Sequence, residues 1–479
     1  MRPDSRSRNR YRLRATAASL ALAAASLGVG VAGADRSAAG ATESVGAPAA
    51  AAPLAGPMPV DPRATPETVA LYRNLKALEG TATLFGHQDA LAYGHDWSAV
   101  DGRSDVKDVV GAYPSVLGFD VGRLETGSAA NIDGVRFDDM RRWIRQGYEL
   151  GSVITLSWHS VNPVTGGGYG NNTSTAAVRA VLPGGSHHAV LVDWLDRFAE
   201  FDRTLVAADG TPIPLVFRPY HEHSGDWFWW GVGGNLNTTA EYVQLWRFTV
   251  DYLQNEKGLH NLLWAVSPDR SRMDVGNLGA QYLAMYPGDA YVDVLGIDNY
   301  LDPQGQQYDT YVRVLETVSA LAQERDKLAA QTETGAAGGS QPWTGFLLRA
   351  HTANEQTRRV LWSLVWRNPT GGAGGAPYPG SATAQDFVAF YDHPFTMFQD
   401  TLPDLYATTG ASTTTTTTST TRATPTTTTT TTTRATPTTT TSQQQGGCTA
   451  AYSVQSQWPG GFVANVNVTA GSSAINGWR

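Results

Sequence analysis

Between about residue 62 and residue 406 of this 479-residue chain, short apolar runs alternate with longer stretches of mixed polarity. The apolar runs fall at 83–86, 115–119, 153–156, 215–217, 262–266, 292–297, 328–331 and 360–365. Each has the length of a strand buried on both faces. Between them, apolar residues recur every three or four positions at 137–150, 190–201, 239–255, 308–323 and 384–390, which predicts helices. Pro66-Glu67 followed by Leu71, Leu75 and Leu78 predicts an opening helix. Eight strands alternating with helices predict an α/β (β/α)8 TIM barrel in preference to a doubly wound sheet. Nearly every strand candidate is followed by polar or aromatic residues, among them Asp120, His159, Glu222, Asp298 and Glu333. That is the face at which barrels of this kind build a site.

The densest chemistry follows the fourth run. Leu215-Val216-Phe217 leads into Arg218-Pro219-Tyr220-His221-Glu222-His223, and the aromatic run Trp227-Phe228-Trp229-Trp230 comes next. Rings packed near Glu222 reduce its solvation, which raises a carboxyl pKa and suits a general acid. Glu333 follows the seventh run, within Gln331-Thr332-Glu333-Thr334-Gly335, and lies 111 positions beyond Glu222. Three βα units of a ~250-residue barrel take roughly 94 residues, so strands four and seven with a modest insertion fit. Two carboxylates at the ends of different strands are the equipment for glycoside hydrolysis. Tyr300 is placed to hydrogen-bond the nucleophile, and Arg218 to pair with carboxylates inside the barrel mouth. His221 contacts Glu222 or a sugar hydroxyl, or else is a satisfied core histidine. Trp227 stacks on sugar or packs under the loop. His95, Asp96, His187 and His188 have no convincing ligand spacing, so neither a metal nor a cofactor is expected.

The chain ends differ in character from this middle. An Arg-rich start, an Ala/Leu-rich run from about residue 15 to 32, and small residues before Asp35 have the order of a secretory signal peptide. Residues 1–34 are therefore expected to direct export, with no membrane association after cleavage, and 35–60 to be an Ala/Gly/Pro-rich disordered spacer. The catalytic domain is expected at 61–406. Residues 407–447 are Thr runs broken by two Arg-Ala-Thr-Pro copies, an extended linker. Val463, Val466 and Val468 suggest short strands in the tail at 448–479, which is too short for a stable domain alone. A net charge of −8 without a basic stripe excludes nucleic acid as a partner. The chain is expected to be a secreted, extracellular monomer.

The motif Arg218-Pro219-Tyr220-His221-Glu222, with Gly225 and Trp227-Phe228-Trp229-Trp230-Gly231, resembles the acid/base signature of glycoside hydrolase family 26, the β-mannanase family of retaining (β/α)8 hydrolases. Leu84-Phe85-Gly86-His87-Gln88, Trp158-His159, Gly296-Ile297-Asp298-Asn299-Tyr300, Glu333-Thr334-Gly335 and Trp366-Arg367-Asn368 are similar to its other strand-end motifs. The resemblance implies Glu222 as acid/base and Glu333 as nucleophile. It implies His221, Trp227 and Tyr300 around the sugar at the cleavage point, and Trp158, His159, Trp366 and Arg367 on the glycone side. The implied activity is a retaining endo-β-1,4-mannanase acting on β-mannan polysaccharide. Mixed-linkage β-glucan or β-1,3-xylan hydrolysis, and a non-catalytic polysaccharide-binding barrel, are the alternatives. The tail, through Cys448, Gln457-Trp458, Gly461-Phe462 and Gly477-Trp478, resembles the start of a family 2 carbohydrate-binding module, an incomplete β-sandwich. A complete module of that type implies cellulose as a further partner.

Overall fold

Eight parallel strands close into a ring in the computed structural model, which describes residues 56–173, 176–300, 308–335, 342–369, 375–408 and two strands near the C-terminus. They are β1 (Thr83–Gln88), β2 (Val116–Asp120), β3 (Val153–Trp158), β4 (Leu215–Pro219), β5 (Leu262–Val266), β6 (Val294–Asp298), β7 (Leu328–Thr334) and β8 (Val360–Val365). Each pairs with its neighbour in sequence, and β1 pairs with both β2 and β8 to close the barrel. Every residue of all eight strands is buried. This explains why they read as continuous apolar runs rather than alternating ones.

The floor of the barrel is sealed from below. The helix Pro66–Leu78 starts at Thr65, whose hydroxyl accepts the Thr68 N–H, with Pro66 in its first turn. Its Leu71 and Leu75 pack against Leu84, Val116, Val153, Val216, Leu263, Val294, Leu328 and Trp362, one residue from the early part of each strand. Burial of each such side chain stabilises the fold by about 1.5–3 kcal/mol. Polar side chains are thereby confined to the opposite, C-terminal mouth. On the outside, the helices Phe137–Glu149, His188–Asp202, Thr239–Asp251 and Tyr308–Glu324 lay apolar stripes on the strands.

Departures from expectation are local. The helix expected to run to residue 255 is α-helical only to Asp251, and its end widens into a π-helical turn over Tyr252–Glu256. The helices Asp105–Val110, Ala177–Val181 and Leu278–Ala284 are too short to leave a periodic signal. Thr396–Met397 adds a short strand beside β1. Strand β7 runs on to Thr334, so Glu333 belongs to the strand and not to the loop after it. Register shifts between β6 and β7 near Ile297 and Asp298, and between β7 and β8 near Gln331 and Thr334, accompany that extension. Such irregularities re-aim side chains next to sites.

The expected signal segment at 1–34, nearly all of the expected spacer at 35–60 and nearly all of the expected linker at 407–447 lie outside the described residues. In the tail, Cys448–Trp458 and Gly461–Ala470 pair as an antiparallel hairpin with a register shift between Val454 and Ser456. Residues 1–410 and 411–479 form separate units. Among the described residues, no helix is long and apolar enough to cross a membrane.

Candidate active site

The segment after β4 turns sharply. Tyr220 and Glu222 both adopt left-handed backbone, with φ of 52° and 51°. That conformation is uncommon for residues with a Cβ and persists where surroundings enforce it. Here the surroundings are specific bonds. The Glu222 N–H donates to the Ser267 carbonyl at 2.7 Å, and the Trp230 indole donates to the His221 carbonyl at 2.7 Å. The Asn237 amide holds the Trp229 and Gly231 carbonyls, both at 2.8 Å. Trp229 and Trp230 are fully buried beneath the turn, so part of the aromatic run serves as its anchor. Gly225 is required by the same packing, since a Cβ there would lie 2.4 Å from the Trp227 ring.

Three carboxylates meet at the mouth. Oxygens of Glu222, Asp298 and Glu333 all lie within 4.8 Å of one another. Among the described residues they are the one group of acidic or imidazole side chains close enough to share a cation, and Arg218 already supplies positive charge to two of them. Its guanidinium donates to Asp298 Oδ2 at 2.8 Å, to Ser267 Oγ at 3.0 Å and to Glu333 Oε1. Burial alone would lower the Arg218 pKa, but Asp298 and Glu333 outweigh it and keep the group charged. Tyr300 donates its hydroxyl to Glu333 Oε2 at 2.7 Å. Glu333 thus has a cation on one oxygen and a hydroxyl donor on the other.

Glu222 is the carboxyl left without a cation. Among the described residues, its Oε2 accepts only the Trp227 indole N–H, at 2.6 Å. Burial first, then the charges of Glu333, Asp298 and Asp269, push its pKa up to about 9. One guanidinium cannot neutralise three buried carboxylates: burial, with Glu333 alongside, also holds the Asp298 pKa well above the ordinary value despite Arg218. Glu222 thus holds a proton at neutral pH while Glu333 beside it is paired with a cation, environments that separate an acid from a nucleophile.

The surrounding cleft, about 200 Å³, is lined by Ile132, Asp133, His159, Tyr169, His221, Glu222, Tyr300, Glu333, Trp366 and Arg367. His221 is buried, with Nε2 3.1 Å from His159 Nε2 and 4.0 Å from Glu333 Oε1. Burial, then Arg218, holds its pKa well below the ordinary value, so it is neutral. Arg367 pairs with Asp133 at 2.9 Å on the cleft wall. Trp227 is half-buried beside Glu222, with the Arg272 guanidinium 5.5 Å from its ring centre.

Trp158 requires correction. It does not line the cleft: it is 2% exposed, packs against Phe198 and Phe217, and donates its indole N–H to Glu125 at 2.9 Å. Successive strand residues point to opposite faces, so the last residue of β3 and the histidine after it could not both face the sugar. Ile132, Asp133 and Tyr169 are cleft residues that no strand-end motif marks, because all three come from loops. His95 stacks on Tyr378, His187 bonds Ser186 and His188 bonds the Val181 carbonyl, away from the carboxylates.

Comparison with known proteins places the chain in a family. The sequence model of the family described as "Glycosyl hydrolase family 26" matches residues 60–400. A mannan endo-1,4-beta-mannosidase of Bifidobacterium adolescentis is 34% identical over 354 residues, covering 69% of this chain and 34% of that protein. The chain thus spans about a third of that relative's length. Among solved structures, a family 26 β-mannanase from Bacteroides ovatus superposes with a TM-score of 0.67 at 42% identity, covering 72% of this chain and 98% of that one. A modular endo-β-1,4-mannanase from Cellulomonas fimi gives 0.67 at 38% identity, covering 73% and 79%.

Proposed function

Since this chain belongs to glycosyl hydrolase family 26, we propose that it is an endo-β-1,4-mannanase that cleaves mannan-type polysaccharides with retention of anomeric configuration. Glu333 attacks the anomeric carbon while Glu222 donates its proton to the departing glycosidic oxygen, giving a glycosyl-enzyme and a free chain end. Glu222, now a carboxylate, takes a proton from water, and that water displaces Glu333 and regenerates both residues. His221 and Tyr300 surround the reacting sugar, Trp227 flanks it, and His159, Trp366 and Arg367 hold the glycone side.

One observation carries this reading: Glu222 and Glu333 approach within 4.8 Å, one carboxyl neutral and the other paired with a cation. Retaining hydrolases hold their carboxyl groups about 5–5.5 Å apart, whereas inverting ones leave about 6.5–9.5 Å for a water. The mannanase relatives support the substrate. Incubation with β-1,4-mannan, mixed-linkage β-glucan and β-1,3-xylan, followed by proton NMR of the first products, tests it. Mannooligosaccharides released first as the β-anomer are expected. Release from glucan or xylan alone, or α-anomers first, contradicts it.

Residues 1–34 are proposed to direct secretion, 61–406 to be the catalytic domain, 407–447 a linker and 448–479 the opening stretch of a carbohydrate-binding module. An exported protein whose N-terminus begins near Asp35 is the expected outcome for the leader.

A further inference from the structure

Behind the cleft lies a carboxylate that the mechanism above does not use. Asp120, the last residue of β2, is fully buried and is surrounded by donors. Its Oδ1 accepts the backbone N–H of Gly122 at 2.7 Å and of His159 at 3.4 Å. Its Oδ2 accepts the Ser157 hydroxyl at 2.6 Å and stands 2.7 Å from His159 Nδ1. The site is built closely: a Cβ on Gly122 would lie 2.6 Å from the His159 carbonyl and 2.8 Å from Asp120 Oδ1. Burial would raise the Asp120 pKa, but His159, Ser157 and Gly122 together hold it below the ordinary value.

These contacts fix protons further along. An ionised Asp120 accepts the His159 Nδ1–H, which in a neutral ring leaves Nε2 bare. His221 Nε2, 3.1 Å away, must then carry a proton and donate it. That leaves His221 Nδ1 as a bare acceptor, and Nδ1 is buried without a partner among the described residues. The opposite assignment would bury an unpaired N–H instead, which is rarer than an unpaired acceptor. His221 Nε2 also lies 4.0 Å from Glu333 Oε1.

We propose that Asp120 is a positioning residue that, through His159, sets the tautomer of His221 and so keeps an N–H, rather than a lone pair, turned toward the nucleophile. The proposal rests on the reading of Glu333 as nucleophile. With the other tautomer, a nitrogen lone pair would face the Glu333 carboxylate, and the positive edge beside it would be lost.

Asp120→Asn separates this role from a merely structural one. The two backbone N–H groups at Oδ1 cannot reverse, so the amide oxygen takes that position and the NH2 faces His159 Nδ1. His159 must then move its proton to Nε2, and His221 must move its own to Nδ1. Nitrogen-15 NMR of the histidine rings is expected to show Nδ1–H on His159 and Nε2–H on His221 in the native protein, with both exchanged in the variant. kcat on mannan is expected to fall on the order of 10²–10⁴-fold, with KM and melting temperature little changed. Ser157→Ala, which removes a donor but leaves the tautomers alone, should stay within about threefold of native. A native spectrum with Nε2–H on His159 overturns the proposal even if the Asn variant fails to fold. So does an Asn variant with exchanged tautomers and undiminished kcat, or one with native tautomers and reduced kcat. Absence of mannan hydrolysis in the native protein would instead sink the functional reading, leaving the tautomer measurement standing.

Discussion

A carboxyl kept neutral inside a protein lowers that protein's stability, and for Glu222 the effect is large enough to measure. In the unfolded chain Glu222 ionises near 4.5; in the folded site its pKa is pushed up to about 9. Between these values the folded state binds a proton that the unfolded state releases. The contribution of Glu222 is therefore most favourable below pH 4.5 and is lost as pH rises toward 9. Each pH unit in that window costs about 1.4 kcal/mol, which comes to about 3 kcal/mol at pH 7 and levels off near ~6 kcal/mol above pH 9. Glu222→Gln removes the titration but keeps an oxygen for the Trp227 N–H. The variant should thus match the native protein at pH 4 and exceed its stability by about 3 kcal/mol at pH 7. For a domain of roughly 350 residues that corresponds to a rise of about 4 °C in melting temperature. Urea unfolding at pH 4, 5.5, 7 and 8.5 supplies the comparison. A gap that grows with pH is expected, together with loss of polysaccharide hydrolysis. A pH-independent gap, or a variant less stable at pH 7, refutes the raised pKa and with it the assignment of the acid.

Three further outcomes follow from the same geometry. The basic limb of kcat/KM should fall near pH 9, where the free enzyme's Glu222 loses its proton; a limb near pH 5 contradicts this. Trp227→Ala should reduce kcat/KM roughly tenfold or more while altering stability little, because the ring is only half-buried; a large drop in melting temperature with normal turnover of the folded fraction would make it a core residue. Trp158→Phe should do the reverse, leaving the Glu125 carboxyl short of a donor and costing about 1–3 kcal/mol of stability with kcat/KM retained.

The barrel was legible because its strands are buried on both faces and leave uninterrupted apolar runs. The helix-strand alternation then admits few topologies. Arg218, Glu222, Tyr300 and Glu333 were visible as candidates because each stands at or just past a strand end, and the barrel brings all such ends together. What the sequence left hidden depends on partners that meet only across the sheet. Asp120 was noticed as the end of a strand, but its role needs the register that sets it beside Ser157 and brings it to His159. Trp158 was misread because a Trp-His pair at a strand end looks like two site residues until alternation divides them between faces. Asp133 and Tyr169 arrive on loops whose course no periodicity fixes.

The central claim is that Glu333 forms the covalent bond to sugar, and trapping that bond tests it most directly. A 2-deoxy-2-fluoro-β-mannosyl fluoride has a good leaving group, while its ring fluorine destabilises the oxocarbenium-like transition state of both steps. The first step proceeds and the second stalls. Peptide mapping by mass spectrometry after inactivation should find one fluoromannosyl group per chain, on the peptide containing Glu333, and Glu333→Ala should remain unlabelled. A label on any other residue, or turnover of mannan by Glu333→Ala, would contradict the account.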